Sequence, residues 1–425
     1  MREMKDSGIE WIGKIPKNWG TYAAFQVFSP VKSKNTGMKE NNLLSLSYGR
    51  IIKKNINTST GLLPESFEGY NIIEPGDIVL RLTDLQNDHT SLRVGLSEQT
   101  GIITSAYLTL HVMFTYYPKF LYYQLHSFDI CKGFYGMGAG VLQGLNWEGI
   151  KLLKIVMPDI HEQQRIADFL DRKCAEIDSV IEKTKATIEG YKKLKQSIIT
   201  EAVTKGTRPN RPMKDSGIEW IGEIPEDWNV NRIKYVANFD PPCDMSRLSE
   251  DSIITYTPME CIKNGYFMNN TSPLGGVTRS LTAFQDGDIV MAKVTPCFEN
   301  GNIAIMKELA SGFGFGSSEL FVFRPTRIKT KFLFYWLRND IFMQMACSTM
   351  TGTGGLKRVS PSFVRNCYLH YPNVDEQTEI SDYLDQKCNE IDNLISKKTE
   401  LLTELETYKK SLIYEYVTGK KEVEI

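Results

Sequence analysis

Eight cysteines and five histidines are the residues best suited to metal or nucleophilic chemistry in this chain. Cys131, Cys174, Cys243, Cys261, Cys297, Cys347, Cys367 and Cys388 are scattered, and none forms a CxxC pair. No histidine sits at metal-ligand spacing beside a cysteine. The pattern predicts reduced thiols, with neither a disulfide framework nor a zinc site. His161 opens a predicted helix and is read as a helix-start residue. No GxxxxGK[ST] stretch is present to cradle the phosphates of ATP, and Gly136, Gly138 and Gly140 do not complete a dinucleotide fingerprint. No Ser/His/Asp or Cys/His set can be assembled.

Two stretches have the look of enzyme motifs. FDPPC (239–243) resembles the Asp-Pro-Pro-aromatic loop of adenine methyltransferases, and GFGFGS (312–317) resembles their glycine-rich cofactor loop. Cys243, however, stands where an aromatic would stack on a flipped base. The glycines follow the Asp-Pro-Pro loop, and no six-strand parallel pattern surrounds either. Asp240 and its prolines are therefore expected to form a turn, and the chain is expected to be no enzyme.

The elements that position these residues are duplicated. MKDSGIEWIGKIPKNW (4–19) returns as MKDSGIEWIGEIPEDW (213–228), with thirteen of sixteen positions identical. PDIHEQQRIADFLDRKCAEIDSVIEK (158–183) returns as PNVDEQTEISDYLDQKCNEIDNLISK (372–397). EPGDIV (74–79) echoes as QDGDIV (285–290), and PKFLYYQL (118–125) as TKFLFYWL (330–337). Each half has a near-constant start, a divergent middle and a near-constant end, as expected if the middles were selected to differ. With 425 residues, 41% of them hydrophobic, the chain can bury more than one core. A formal net charge of −1 lends no support to nucleic-acid binding by the chain as a whole, although a local basic face would suffice.

The near-constant ends read as long helices of about 44 residues, roughly 65 Å at 1.5 Å per residue. Apolar residues recur at steps of three and four: Ile166, Leu170, Cys174, Ile177, Ile181, Ile188, Tyr191 and Ile198, with Thr184 and Lys195 in the gaps. The second copy gives Ile380, Leu384, Cys388, Ile391, Ile395, Leu402, Leu405, Leu412 and Tyr416, with Lys398 and Lys409 on the seam. That is a heptad seam on a helix too long for an ordinary core, so the two helices are expected to pack on each other. The middles, 20–157 and 229–371, hold short alternating runs and turn signals, with short helices expected at 118–127 and 330–339. Each reads as a small α+β module with a twisted sheet. The N-terminus lacks an apolar signal core, and no run of eighteen apolar residues occurs.

The duplicated KDSGIEWIGxIPxxW segment and PxxxEQxxIxxxLDxKxxEID helix start resemble the specificity subunit of type I restriction–modification systems, over essentially the whole chain. The resemblance implies an α+β fold of two pseudo-twofold-related target recognition domains, 1–157 and 207–371. Two conserved helices, 158–206 and 372–425, would form an antiparallel coiled-coil spacer. It implies recognition of double-stranded DNA with a bipartite, asymmetric sequence, in a prokaryotic cytoplasm. Two modification (methyltransferase) subunits and two restriction (translocase/endonuclease) subunits would be the partners. These would use S-adenosylmethionine, ATP and Mg2+, none bound by this chain. Phosphate and base contacts favour Arg, Lys, Asn and Gln. The candidates are Lys32, Lys34, Arg50, Lys53, Lys54, Arg81, Asn87 and Arg93, then Tyr135 and Gln143 in the glycine-rich segment 133–144. In the second module they are Lys263, Arg279, Lys293, Lys357 and Arg358. Trp11, Trp19, Trp220 and Trp228 are expected to pin the repeated segments. The rival expectation is a coiled-coil adaptor whose paired modules bind proteins, distinguishable by the salt dependence of DNA binding.

Overall fold

The computed structural model describes residues 2–56, 64, 66–85, 87–88, 90–137, 144–276, 280–353 and 355–424. It divides into two compact units. Unit 1 holds residues 1–185 and 400–425; unit 2 holds 186–399. Each long helix is shared: the first runs Ile160–Lys205 and the second Val374–Val417, so each unit takes the start of one and the end of the other. Asp159 and Asn373 cap the starts, their side-chain oxygens accepting from the N–H of Glu162 (2.9 Å) and Glu376 (3.0 Å). Gly206 (φ 78°) and Gly419 (φ 70°) end them in the left-handed conformation that glycine tolerates.

In unit 1 the repeated segment folds into a hairpin, Met4–Asp6 against Lys14–Pro16. Asp6 accepts from the N–H of Gly8 (2.9 Å), which sits at φ 65°, and Ser7 accepts from Ile9 (3.1 Å). Residues Gly20–Ala23 then pair with Lys154–Met157, the strand that leads into the first long helix. Unit 2 repeats each step: Met213–Asp215 against Glu223–Pro225, the Asp215 and Ser216 turn, and Asn229–Arg232 paired with Tyr368–Tyr371.

A four-stranded antiparallel sheet forms the middle of unit 1, in the order Phe28–Pro30, Leu108–Val112, Ile78–Leu80, Val94–Leu96. Unit 2 has the same order with Ala237–Phe239, Leu320–Pro325, Ile289–Ala292 and Ile303–Ile305. The central strands are apolar on both faces because both faces are covered. Ile78 and Leu80 join the main core with Trp19, Phe120 and Ile166, while Val79 joins a second core with Leu44, Leu46, Ile73 and Ile103. In unit 2, Ile289 and Met291 face the main core and Val290 faces Phe284 and Val322. The second layer of unit 2 is a four-stranded sheet that includes Phe313–Gly316. GFGFGS is thus largely a strand. A Cβ on Gly314 would lie 2.3 Å from the Phe284 ring, and one on Gly316 2.7 Å from the Thr257 carbonyl, so its glycines serve close packing. Asp240, at φ 46°, is the turn expected of it, its carboxylate accepting from the N–H of Val322 at 2.8 Å.

The first short helix is longer than expected, Pro118–Ile130. Its counterpart is shorter, Thr330–Trp336, because Asn339 caps a separate helix, Asp340–Ser348, through the N–H of Phe342. The EQ pair and the later Asp of each helix start lock these short helices in place. Gln163 accepts from the N–H of Tyr117 (2.9 Å) and Gln377 from that of Lys329 (2.8 Å). Asp171 takes the Tyr123 hydroxyl and the Lys119 ammonium; Asp385 takes Tyr335 and Lys331.

Glu162 and Glu376 hold the repeated segments. Trp19 and Trp228, both almost wholly buried, donate from Nε1 to Glu162 and Glu376 at 3.3 Å. Arg2 and Arg211, two residues before each segment, pair with the same carboxylates. The ends of the helices close the junction from the other side. A Cβ on Gly419 would meet Pro16 at 2.4 Å, and one on Gly206 would meet Trp228 at 3.3 Å.

Along the seam Ile166, Leu170, Ile177, Ile181, Ile188, Ile380, Leu384, Ile391 and Leu412 are buried. Ile198, Ile395 and Leu402 are half-buried, and Ile199, off the expected seam, is wholly buried. Within unit 1 the two helix segments are bridged by Lys409 and Asp178 (2.6 Å), and within unit 2 by Lys195 and Asp392 (2.7 Å).

Candidate nucleic-acid interface

In both units the loop between the central strand and the edge strand gathers candidate residues. In unit 1 this is the loop 81–93, leaving strand Ile78–Leu80 and entering Val94–Leu96. Arg81 and Asn87 lie on it, with Asn87 donating to Asp84 at 2.8 Å and Arg81 lying 3.7 Å from Asp88. Tyr135, from the glycine-rich segment, docks on it and donates its hydroxyl to the Asp88 carbonyl at 3.1 Å. The Ser91 hydroxyl and N–H hold the Asp88 carboxyl well below the usual carboxylate range, so it stays ionised beside Arg81.

Arg93 does not face solvent, contrary to the expectation of a DNA contact. It is wholly buried. Its Nε donates to the Tyr135 hydroxyl (3.0 Å), Nη1 to the carbonyls of Arg81 (3.1 Å) and Thr83 (2.8 Å), and Nη2 to those of Asp84 (3.2 Å) and Asp88. A side chain whose five donors all point inward cannot reach a phosphate.

In unit 2 the equivalent loop, 293–302, carries Lys293. Here the packing partner is a hairpin, Thr351–Thr353 with Leu356–Arg358, which presents Lys357 and Arg358. Thr295 joins loop to hairpin: its N–H donates to the Lys357 carbonyl (3.0 Å), and its hydroxyl accepts from the Lys357 N–H (2.9 Å) and donates to Gly355 (2.8 Å). The Arg358 guanidinium is already paired with Glu319, at 2.7 Å from Nη2, and the same contact pulls the Glu319 carboxyl below its usual value. Arg358 must release Glu319 before it can take a phosphate, which corrects its reading as a ready contact. The sequence had not pointed to Thr295 or Glu319; nothing in their spacing marks them.

The remaining candidates lie elsewhere. Arg50 ends the turn of a hairpin and pairs with Asp178 on the long helix at 3.2 Å, so it braces hairpin against helix instead of standing ready for DNA. Lys53, on the same hairpin, and Lys54 are exposed. Lys32 is exposed, while Lys34 bonds Asn71 (2.8 Å) and the Gly69 carbonyl (3.1 Å). Lys263 is half-buried, and its carbonyl accepts from the N–H of Ile303 on the edge strand. Gln143 and Arg279 lie outside the described residues. The geometry therefore assembles two polar loop clusters at one topological position, built from different residues in each unit. Among the described residues no helix is long and apolar enough to cross a membrane.

Known proteins resemble this chain in sequence and in fold. Residues 225–404 match the family model described as the type I restriction modification DNA specificity domain. The chain is 34% identical to the specificity subunit of the Escherichia coli type I restriction enzyme EcoEI over 163 residues, 37% of this chain and 27% of that subunit. It is 26% identical to the MjaVIII specificity subunit of Methanocaldococcus jannaschii over 284 residues, 63% of this chain and 62% of that one. The matched region is thus less than two thirds of either relative's length. Among solved structures, a chain described under complex assembly and conformational transition of the type I R-M system shares the fold. Its TM-score is 0.70 at 14% identity, covering 96% of this chain and all of that one. The HsdS subunit of Thermoanaerobacter tengcongensis superposes with a TM-score of 0.52 at 13% identity, covering 96% and 98%. With its duplicated segments and helices, the chain is similar to type I restriction–modification specificity subunits, and residues 225–404 match their DNA specificity domain.

Proposed function

We propose that this chain is the sequence-specific DNA-binding subunit of a type I restriction–modification complex, each unit reading one half of a bipartite, asymmetric target. The observation that carries the reading is the pair of loop clusters. Arg81, Asn87 and Tyr135 in unit 1 occupy the topological position of Lys293, Lys357 and Arg358 in unit 2. A common scaffold with different loop chemistry is what reading two different half-sites requires, since base edges are told apart by the donors and acceptors offered to them. The long helices act as an antiparallel coiled coil that sets the gap, supported by their buried seam and by the lysine–aspartate bridge in each unit. The helices also dock two modification subunits, and two restriction subunits complete the assembly in a prokaryotic cytoplasm. Methylation with S-adenosylmethionine and cleavage driven by ATP and Mg2+ belong to those partners. Exchange of residues 20–157 for the module of another family member tests the reading. One half of the recognised site should change while the other half and the gap persist; change in both halves would sink it.

A further inference from the structure

A buried arginine is an unusual way to hold a surface loop. Taking a guanidinium out of water is costly unless every donor is satisfied. Arg93 meets that condition: four loop carbonyls and the Tyr135 hydroxyl receive its five N–H groups. Among the described residues its one ion pair is a long one, to Asp88 at 4.0 Å. The position of Arg93 is itself fixed from below. Its N–H donates to Asp129 of the short helix at 2.6 Å, and its carbonyl accepts from Arg81 at 2.9 Å. The Arg93–Tyr135 contact, with 5.1 Å between guanidinium carbon and ring centroid, ties the glycine-rich segment to the same point.

We infer that Arg93 is the positioning residue of the first recognition unit, turning the carbonyls of Arg81, Thr83, Asp84 and Asp88 inward so that the loop and Tyr135 hold one DNA-reading conformation. The inference rests on the DNA-reading function proposed above. On the same loop Asn87 is exposed, bonded to Asp84, and Arg81 is half-buried beside Asp88. Lysine cannot substitute, because a single ammonium has three donors and no planar fork. Unit 2 solves the same problem differently. Asn302 stands before its edge strand, where Arg93 stands in unit 1, and the loop is held by buried Phe298 and the Thr295–Lys357 bonds. Arg93 thus acts on one half-site alone.

The test uses Arg93→Lys, Arg93→Met and the milder Tyr135→Phe, which removes one acceptor of the five. Each full-length variant is assembled with its modification subunit. Binding is measured by competition with DNA carrying single-base changes in either half-site of the target that the wild-type complex methylates. Amide hydrogen exchange is read in loop 81–93 of the same proteins. The expected result is a tenfold or greater loss of discrimination in one half-site, unchanged discrimination in the other, and faster exchange confined to the loop. Full discrimination at both half-sites in a folded Arg93→Lys or Tyr135→Phe variant overturns the inference, as does equal loss at both. Failure of the Arg93 variants to fold leaves Tyr135→Phe to decide on the same readout. A wild-type complex that does not discriminate between half-site variants refutes the DNA-reading function instead, and unchanged loop exchange in the variants then refutes the positioning role separately.

Discussion

Glu376→Ala isolates the junction that the repeated segment makes with a long helix. The Glu376 carboxylate is wholly buried and receives Trp228 Nε1 at 3.3 Å and the Arg211 guanidinium. Truncation leaves the indole N–H, in a ring 1% exposed, without its acceptor, which costs ~1–3 kcal/mol. It also breaks a buried ion pair, a change that costs ~3–5 kcal/mol when the remaining charge has no other partner. Arg211 keeps Asp227 at 2.5 Å, so the loss should fall at the lower end, about 3–4 kcal/mol in all. Urea unfolding followed by tryptophan fluorescence measures it. Arg211→Met combined with Glu376→Ala should lose clearly less than the two single variants summed, because each single variant already loses the same Arg211–Glu376 pair. A loss below about 1 kcal/mol for Glu376→Ala, or strict additivity, would refute the claim that the junction is held by this carboxylate.

Burial holds the His126 and His370 imidazoles neutral, with pKa values pushed down to about 4. Unfolded histidine titrates near ~6.5, so between about pH 4 and 6.5 the unfolded chain binds more protons and stability falls as pH falls. The urea midpoint should drop between pH 7 and pH 5, less so in His126→Phe; a midpoint flat over that range contradicts it. Ile181→Asp places a charge at a seam position that is 6% exposed, in the core that Leu405 packs against. It should cost ~3 kcal/mol or more and weaken assembly with the modification subunit; full assembly at wild-type stability would show the seam is drawn wrongly. Glu319→Gln frees Arg358 from its ion pair and should strengthen DNA binding while steepening its fall with salt, read by titration at two salt concentrations; unchanged affinity and salt slope would mean that Arg358 does not reach phosphate.

The regular parts of the molecule were legible because their signals repeat. Heptad steps announced both long helices, although the second ends at Val417, short of the expected 425, and the repeated segments recur as the two hairpins. The equal offsets of Arg2 and Arg211 from those segments were visible too, but an arginine beside a repeat carries no signal until its carboxylate is placed by the fold. The seam lysines Lys195 and Lys409 read as gaps; their partners Asp392 and Asp178 sit on the other helix, which a single helix's periodicity cannot reveal. Arg93 was misread because arginine is by default a surface residue, and only the turn of a loop with inward carbonyls makes a buried one affordable. GFGFGS has the look of a cofactor loop for a different reason: glycine suits both a tight loop and a strand pressed against Phe284.

Single-molecule methylome sequencing of a host expressing this chain with its modification subunit, set against a strain lacking only this chain, tests the central claim most directly. The account predicts a bipartite motif carrying N6-methyladenine in each half, present with the chain and lost without it. A methylome unchanged by removal of the chain, from a modification subunit shown to be active with another specificity subunit, would contradict it.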